Sequence, residues 1–180
     1  MTYAERLTRL TAERGRLCVG IDPMPGVLDA WGLTRDIRGL ERCARGIVEA
    51  LGPRIAVFKP QSAFFEAYGS RGVAVLERVL ADIRATGALS ILDVKRGDIG
   101  SSMQGYADAF LGEGAPCGPT PSPSAPTSAS GPPARHRRGG RGRAGVYVLA
   151  RTSNPDGAPV QLARAGSPPS PSTSSTRRGP

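Results

Sequence analysis

The chain has 180 residues, enough for one domain with its own core, and 39% apolar side chains, low for a compact protein. Its formal charge of +9 suggests an acidic partner such as nucleic acid, but the charge is unevenly placed. Residues 1–111 carry 15 basic and 13 acidic side chains, whereas residues 112–180 carry 9 basic and 2 acidic. Cys18, Cys43 and Cys117 are widely spaced with no C-x-x-C pair, and His136 is the only histidine, so no zinc site is implied. This cysteine usage fits a reducing cytoplasm. No apolar run is long enough to span a membrane, and the start "MTYAERLTRL" reads as a charged amphipathic helix rather than a signal peptide.

Taken in chain order, residues 1–111 predict an ordered α/β protein. Thr2 and Glu5 match a capping box, Tyr3, Leu7 and Leu10 share a helical face, and Gly15 stops that helix. Leu17 to Asp22 is a short apolar run ending in an acid. Thr34 is a candidate cap for a second helix, with Ile37, Leu40, Ala44, Ile47, Val48 and Leu51 inward and Gly52-Pro53 closing it. Ile55 to Pro60 predicts a strand ending on Lys59, about 70–86 a helix, Leu89 to Asp93 a third strand, and about 102–111 a further helix. Strands alternating with helices argue for βαβ units and a parallel sheet. All three strands end on charge: Asp22, Lys59, then Asp93 with Lys95. Carboxyl ends of strands line the site in such folds.

The character changes at residue 112. The 33 positions of 112–144 hold 7 Pro, 7 Gly, 5 Arg, 5 Ala and 4 Ser, with no Val, Ile, Leu, Met, Phe, Tyr or Trp. Such a segment is expected to be disordered, because it buries too little apolar surface to offset its ordering entropy. Strand grammar returns at Gly145–Arg151, followed by the turn Thr152–Gly157, so 145–165 reads as a barrel strand plus turn and 166–180 as a disordered tail. The chain has 22 Arg and only two Lys, Lys59 and Lys95. That background suggests GC-rich coding DNA. We hypothesise that 112–144 and 166–180 are out-of-frame readings flanking an in-frame island; the alternative is a genuine insert and tail.

The stretch "ILDVKRGDIG" carries the chemistry. On an extended strand Asp93 and Lys95 face one side, Asp98 follows in a glycine-containing turn, and Lys59 ends the neighbouring strand. In an alternating lysine–carboxylate array each charge holds its neighbours ionised, and a lysine can deliver a proton while a carboxylate faces a departing anion. Both lysines of an arginine-rich chain fall here, and arginine does not readily surrender a proton. A purely structural ion-pair network is the simpler alternative.

The segment Asp93–Ser102 resembles the signature of the orotidine 5′-phosphate decarboxylase family, in the bacterial KRGDIG form. "LCVGIDP", "AVFKPQSAFFEAYG" and "VYVLARTSNPDG" agree with it, and the resemblance covers about 1–111 and 145–165. It implies a (β/α)8 TIM barrel, here incomplete, that dimerises and converts orotidine 5′-monophosphate to UMP and CO2 in pyrimidine biosynthesis with neither metal nor cofactor. By position, Lys95 would protonate C6, Asp93 would face the leaving carboxylate, and Lys59 and Asp98 would complete the array, Asp98 reaching the partner subunit's site. Asp22 and Lys59 would contact the ribose and Ser153 the pyrimidine edge. Ser102 stands where the family usually has Thr and keeps the hydroxyl. A fourth strand after the 102–111 helix, the closing strands and a late phosphate-gripping arginine are not found, and such barrels normally need about 200 residues or more.

Three rivals stand beside this reading. One is an inactive remnant of that enzyme, and another a related Mg-dependent sugar-phosphate decarboxylase or aldolase. The third takes "ARHRRGGRGRAG" as an RGG-like RNA-binding segment, against which stands the general abundance of Arg and Gly. No membrane partner is expected.

Overall fold

A computed structural model describes residues 1–96, 98, 100–111, 146–147, 155–157 and 162, together with the backbone of 125–127. The contact pattern divides the chain into two units, Met1–Val148 and Leu149–Pro180. In the second, the described residues form one 3-10 turn, Pro155–Gly157.

The first unit begins with helix α1, Tyr3–Arg14. Its capping box is complete: the Glu5 amide donates to the Thr2 hydroxyl at 3.3 Å, and the Thr2 amide to the Glu5 carboxylate at 2.8 Å. Gly15 ends it at φ 82°, a conformation that a Cβ disfavours. There follow β1 (Cys18–Ile21), α2 (Pro25–Ala30), α3 (Ile37–Leu51), β2 (Val57–Pro60), α4 (Ser62–Glu66), α5 (Gly69–Ala85), β3 (Leu89–Asp93), α6 (Gly100–Leu111) and β4 (Ala125–Thr127).

The four strands form one parallel sheet in the order β1-β2-β3-β4. The α/β expectation therefore holds, as the opening portion of a barrel. The short helices α2 and α4 went unread in the sequence. The expected cap of α3 is displaced: Asp36 caps it, accepting from the Arg38 and Gly39 amides at 2.9 Å, while the Thr34 hydroxyl donates to Asp36 at 2.8 Å. A fourth strand was not expected in 112–144, yet Ile91, Leu92 and Asp93 pair in parallel with Ala125, Pro126 and Thr127. Ladder pairing uses backbone groups and needs no apolar side chain. Pro126 lacks an N–H, which is tolerated because β4 is the last strand of the described sheet.

Two apolar layers sandwich the sheet. On the outer face Ile21, Phe58 and Leu92 pack against Leu40, Ala44 and Val48 of α3 and Val75, Val79 and Ile83 of α5. Phe58 and Leu92 are almost completely buried, and each such side chain contributes about 1.5–3 kcal/mol. On the other face, Leu10 of α1 packs on Ala56, Val57 and Leu89, with Tyr3, Leu7 and Ile91 alongside. Successive strand residues point to opposite faces. Lys59 and Asp93 thus share the face of Val57, Leu89 and Ile91, whose amino end α1 covers. The Tyr3 hydroxyl lies 2.9 Å from that of Tyr147, with the rings edge to face. Burial, helped by this bond, pushes the Tyr3 phenol well above its ordinary value.

Arg14 ties the helix ends together. Its guanidinium donates to the carbonyls of Gly52, Ile55 and Thr86 at 3.2, 3.3 and 3.1 Å. The C-terminal ends of α1, α3 and α5 are thereby joined below the sheet.

Candidate active site

The register of the sheet sets the site. Gly20 pairs with Lys59 and Ile21 with Pro60, while Gln61 bridges Asp93. Asp22, one residue past β1, is next in line beside Gln61, and the Gln61 amide donates to the Ile21 carbonyl at 3.2 Å. A Cβ on Gly20 would stand 3.6 Å from the Asp22 carboxylate oxygens, so Asp22 folds back over the space that glycine leaves open.

Asp93 is the hub. Its side chain is only 14% exposed, against 36% for Lys59 and 51% for Lys95. One carboxylate oxygen, Oδ2, accepts from Lys95 Nζ at 2.6 Å and from Gln61 Nε2 at 3.0 Å, with Lys59 Nζ 4.0 Å away. Concentrating donors on one oxygen fixes the ammonium beside the carboxylate.

Lys95 reaches Asp93 by an unexpected route. The strand ends at Asp93, and Lys95 lies beyond it at φ 46°, the one described non-glycine residue with positive φ. The pleat of an extended strand therefore does not bring the two together; a left-handed turn does. That conformation costs a residue with a Cβ about 1–2 kcal/mol. Strain of this kind concentrates at functional sites.

The other expected residues are placed less tightly. Asp22 Oδ1 is buried without a hydrogen-bond partner among the described residues, an acceptor suited to a ligand hydroxyl. Asp98 is exposed, and its amide donates to Met103 Sδ at 3.4 Å. Ser102 is exposed on the first turn of α6. Ser153 lies outside the described residues.

Gln61 was missed in the sequence, as were Ser62, Glu66 and Arg96 around the loop. Arg96 Nη2 donates to Glu66 Oε2 at 2.6 Å and Nη1 to the Val94 carbonyl at 2.8 Å. The Ser62 hydroxyl donates to Glu66 Oε1 at 2.5 Å. Burial alone would push the Glu66 carboxyl up; the Ser62 and Arg96 hydrogen bonds outweigh it and hold the group below its ordinary value. A sequence signal existed only in the neighbourhood of these residues to Lys59 and Lys95.

A separate groove of about 720 Å³ runs along α3 and α5 and includes Arg38, Glu41, Arg45 and Asp82. Arg45 pairs with Asp82 at 2.6 Å and Arg78 with Glu41 at 2.8 Å across the two helices. Glu41, Arg45 and Asp82 are engaged in these pairs, and no lining residue of the groove belongs to the strand ends. No group of three or more His, Cys, Asp or Glu suited to a metal ion occurs among the described residues. No described helix is long and apolar enough to cross a membrane.

A parallel sheet covered by helices, with its charged side chains gathered at the carboxyl ends of the strands, defines a barrel-type α/β protein. The sequence profile of the orotidine 5′-phosphate decarboxylase / HUMPS family matches residues 15–170. The chain is 54% identical over 166 residues to the orotidine 5′-phosphate decarboxylase of Salinispora tropica, covering 91% of this chain and 59% of the relative. It is 51% identical to that of Streptomyces coelicolor over 167 residues, with the same two coverages. A crystal structure from Streptomyces avermitilis, described as an orotidine 5′-phosphate decarboxylase, superposes with a TM-score of 0.80 at 50% identity, over 89% of this chain and 57% of the other. Leishmania donovani OMP decarboxylase gives 0.69 at 26% identity, over 92% and 60%. The chain belongs to the orotidine 5′-phosphate decarboxylase family. It spans about three-fifths of the length of these relatives.

Proposed function

We propose that this site decarboxylates orotidine 5′-monophosphate to UMP and CO2, with Lys95 as the acid that protonates C6. The observation that carries the reading is Lys95 Nζ held 2.6 Å from Asp93, with Lys59 at 4.0 Å on the same oxygen. As the C6–carboxylate bond breaks, CO2 departs and the bonding pair stays on C6. An adjacent ammonium stabilises that carbanion electrostatically and then transfers its proton, completing the C–H bond of UMP. Lysine suits both steps, because it is a compact charge that can give up a proton.

Asp93 has two roles in this scheme. It orients the Lys95 ammonium, and it faces the substrate carboxylate, which it repels until CO2 leaves. Asp22, with its unpartnered buried oxygen, and Lys59 would accept and donate to the ribose. Ser153 and Ser102 are proposed to contact the substrate, and Asp98 to reach the site of a second subunit in a homodimer. We place the reaction in the cytoplasm and assign it no metal or cofactor. Residues 112–144 and 166–180 are proposed to be out-of-frame readings, which resequencing and translation in three frames would test.

The activity is tested by incubating the purified chain with carboxyl-labelled orotidine 5′-monophosphate in excess chelator. Labelled CO2 and UMP are expected in equal amounts. Absence of both would make the chain an inactive relative, and Mg²⁺-dependent turnover of a hexulose or keto-gulonate phosphate in its place would favour the sugar-phosphate enzymes.

A further inference from the structure

The left-handed backbone of Lys95 is the conformation a glycine adopts most easily, yet the chain places there one of its two lysines. Something around it must hold that turn. We propose that Ser62, Glu66 and Arg96 form a positioning clamp that keeps Lys95 in its left-handed turn, so that its ammonium is set on Asp93 before substrate binds. For its effect on rate the inference rests on the decarboxylase reading; for the geometry it does not.

The contacts bracket Lys95. Arg96 Nη1 reaches back over it to the Val94 carbonyl at 2.8 Å, closing residues 94–96 on themselves. Nη2 of the same guanidinium binds Glu66 at 2.6 Å, which fastens the closed loop to the end of α4. Glu66 is fixed in turn by the hydroxyl of Ser62, which is 4% exposed at the start of that helix. Val94, just before the turn, is 6% exposed and packs in the outer core. Both flanks of Lys95 are therefore anchored while its own side chain remains half exposed.

Helix α4 also explains why the clamp and the hub move as one. Gln61, its N-cap, donates to Asp93 at 3.0 Å, and the next residue, Ser62, holds Glu66. One short element thus sets the Asp93 carboxylate and the Lys95 backbone relative to each other. Arginine is required at 96, since its fork serves a carbonyl and a carboxylate at once, which a lysine ammonium at the same reach does not.

The chain has only two lysines, so competitive acetylation read by peptide mass spectrometry reports each separately. In Glu66→Gln the Lys95 to Lys59 labelling ratio is expected to rise severalfold, and in Ser62→Ala to rise less. Arg96→Gln, which adds no lysine, is expected to behave like Glu66→Gln. With orotidine 5′-monophosphate, kcat should fall about tenfold to a hundredfold in Glu66→Gln while KM stays unchanged. Should Glu66→Gln fail to fold, Ser62→Ala carries the same two readouts. A labelling ratio that stays at the wild-type value in a folded variant overturns the clamp, as does an Arg96→Gln chain indistinguishable from wild type. If the wild-type chain shows no turnover, the decarboxylase reading fails, and the labelling ratio alone decides the clamp.

Discussion

Gln61 and Lys95 donate to the same oxygen of Asp93, at 3.0 and 2.6 Å, from opposite sides of the β2–β3 seam. The amide supplies a second donor without a second charge, so the carboxylate is held while the ammonium keeps its full field. Gln61→Ala is expected to lower kcat about tenfold to a hundredfold, the range for a lost hydrogen bond to a charged group. Gln61→Glu places a like charge beside Asp93 and should cost more. Steady-state kinetics of the two variants check this order.

Lys95→Arg preserves a positive charge but removes a group able to release a proton. General acid catalysis is typically worth about 10²–10⁴-fold, and a loss of at least that size is expected. Lys59→Arg keeps a charge 4.0 Å from Asp93 in the parent and should mainly raise KM, since its proposed contact is with the ribose. Separate kcat and KM values for both variants distinguish the two roles.

Glu66 makes acid stability depend on pH with a definite sign. Its carboxyl sits below the ordinary value of 4.5 in the folded chain, because the Ser62 and Arg96 hydrogen bonds outweigh the cost of burial. The unfolded chain therefore binds more protons in this window. The Glu66 contribution is fully present above 4.5 and is lost as pH falls through the lowered folded value. Denaturant titrations should show wild type more stable than Glu66→Gln at about pH 6, with the gap narrowing as pH falls below the ordinary carboxylate range.

Two substitutions should change stability and leave the chemistry alone. Arg14→Ala leaves the carbonyls of Gly52, Ile55 and Thr86 without their shared donor, at an expected cost of about 1–3 kcal/mol. Gly39→Ala would put a Cβ 1.8 Å from the Thr34 carbonyl oxygen, forcing backbone to move, at about 1–3 kcal/mol or more. Denaturant midpoints should fall for both, with kcat unchanged in the folded fraction.

Much of this was legible in the sequence, for physical reasons. Apolar runs ending on charge located β1, β2 and β3, because a buried parallel strand is apolar along its body and polar at its carboxyl end. The capping box of α1 and the apolar stripe of α3 were equally plain. Helices α2 and α4 are too short to show a period, so Gln61, Ser62 and Glu66 had no element to belong to. The left-handed turn at Lys95 was invisible because the residue is not glycine. The strand at Ala125–Thr127 escaped because its pairing depends on backbone groups and on β3 lying beside it.

The most direct test of the central claim follows the proton. The chain and its Lys95→Arg variant are incubated with orotidine 5′-monophosphate in D2O, and the UMP is examined by NMR and mass spectrometry. We expect UMP carrying deuterium at C6 from the wild-type chain and none from the variant. No UMP from wild type, or deuterated UMP formed equally fast by Lys95→Arg, would contradict the account.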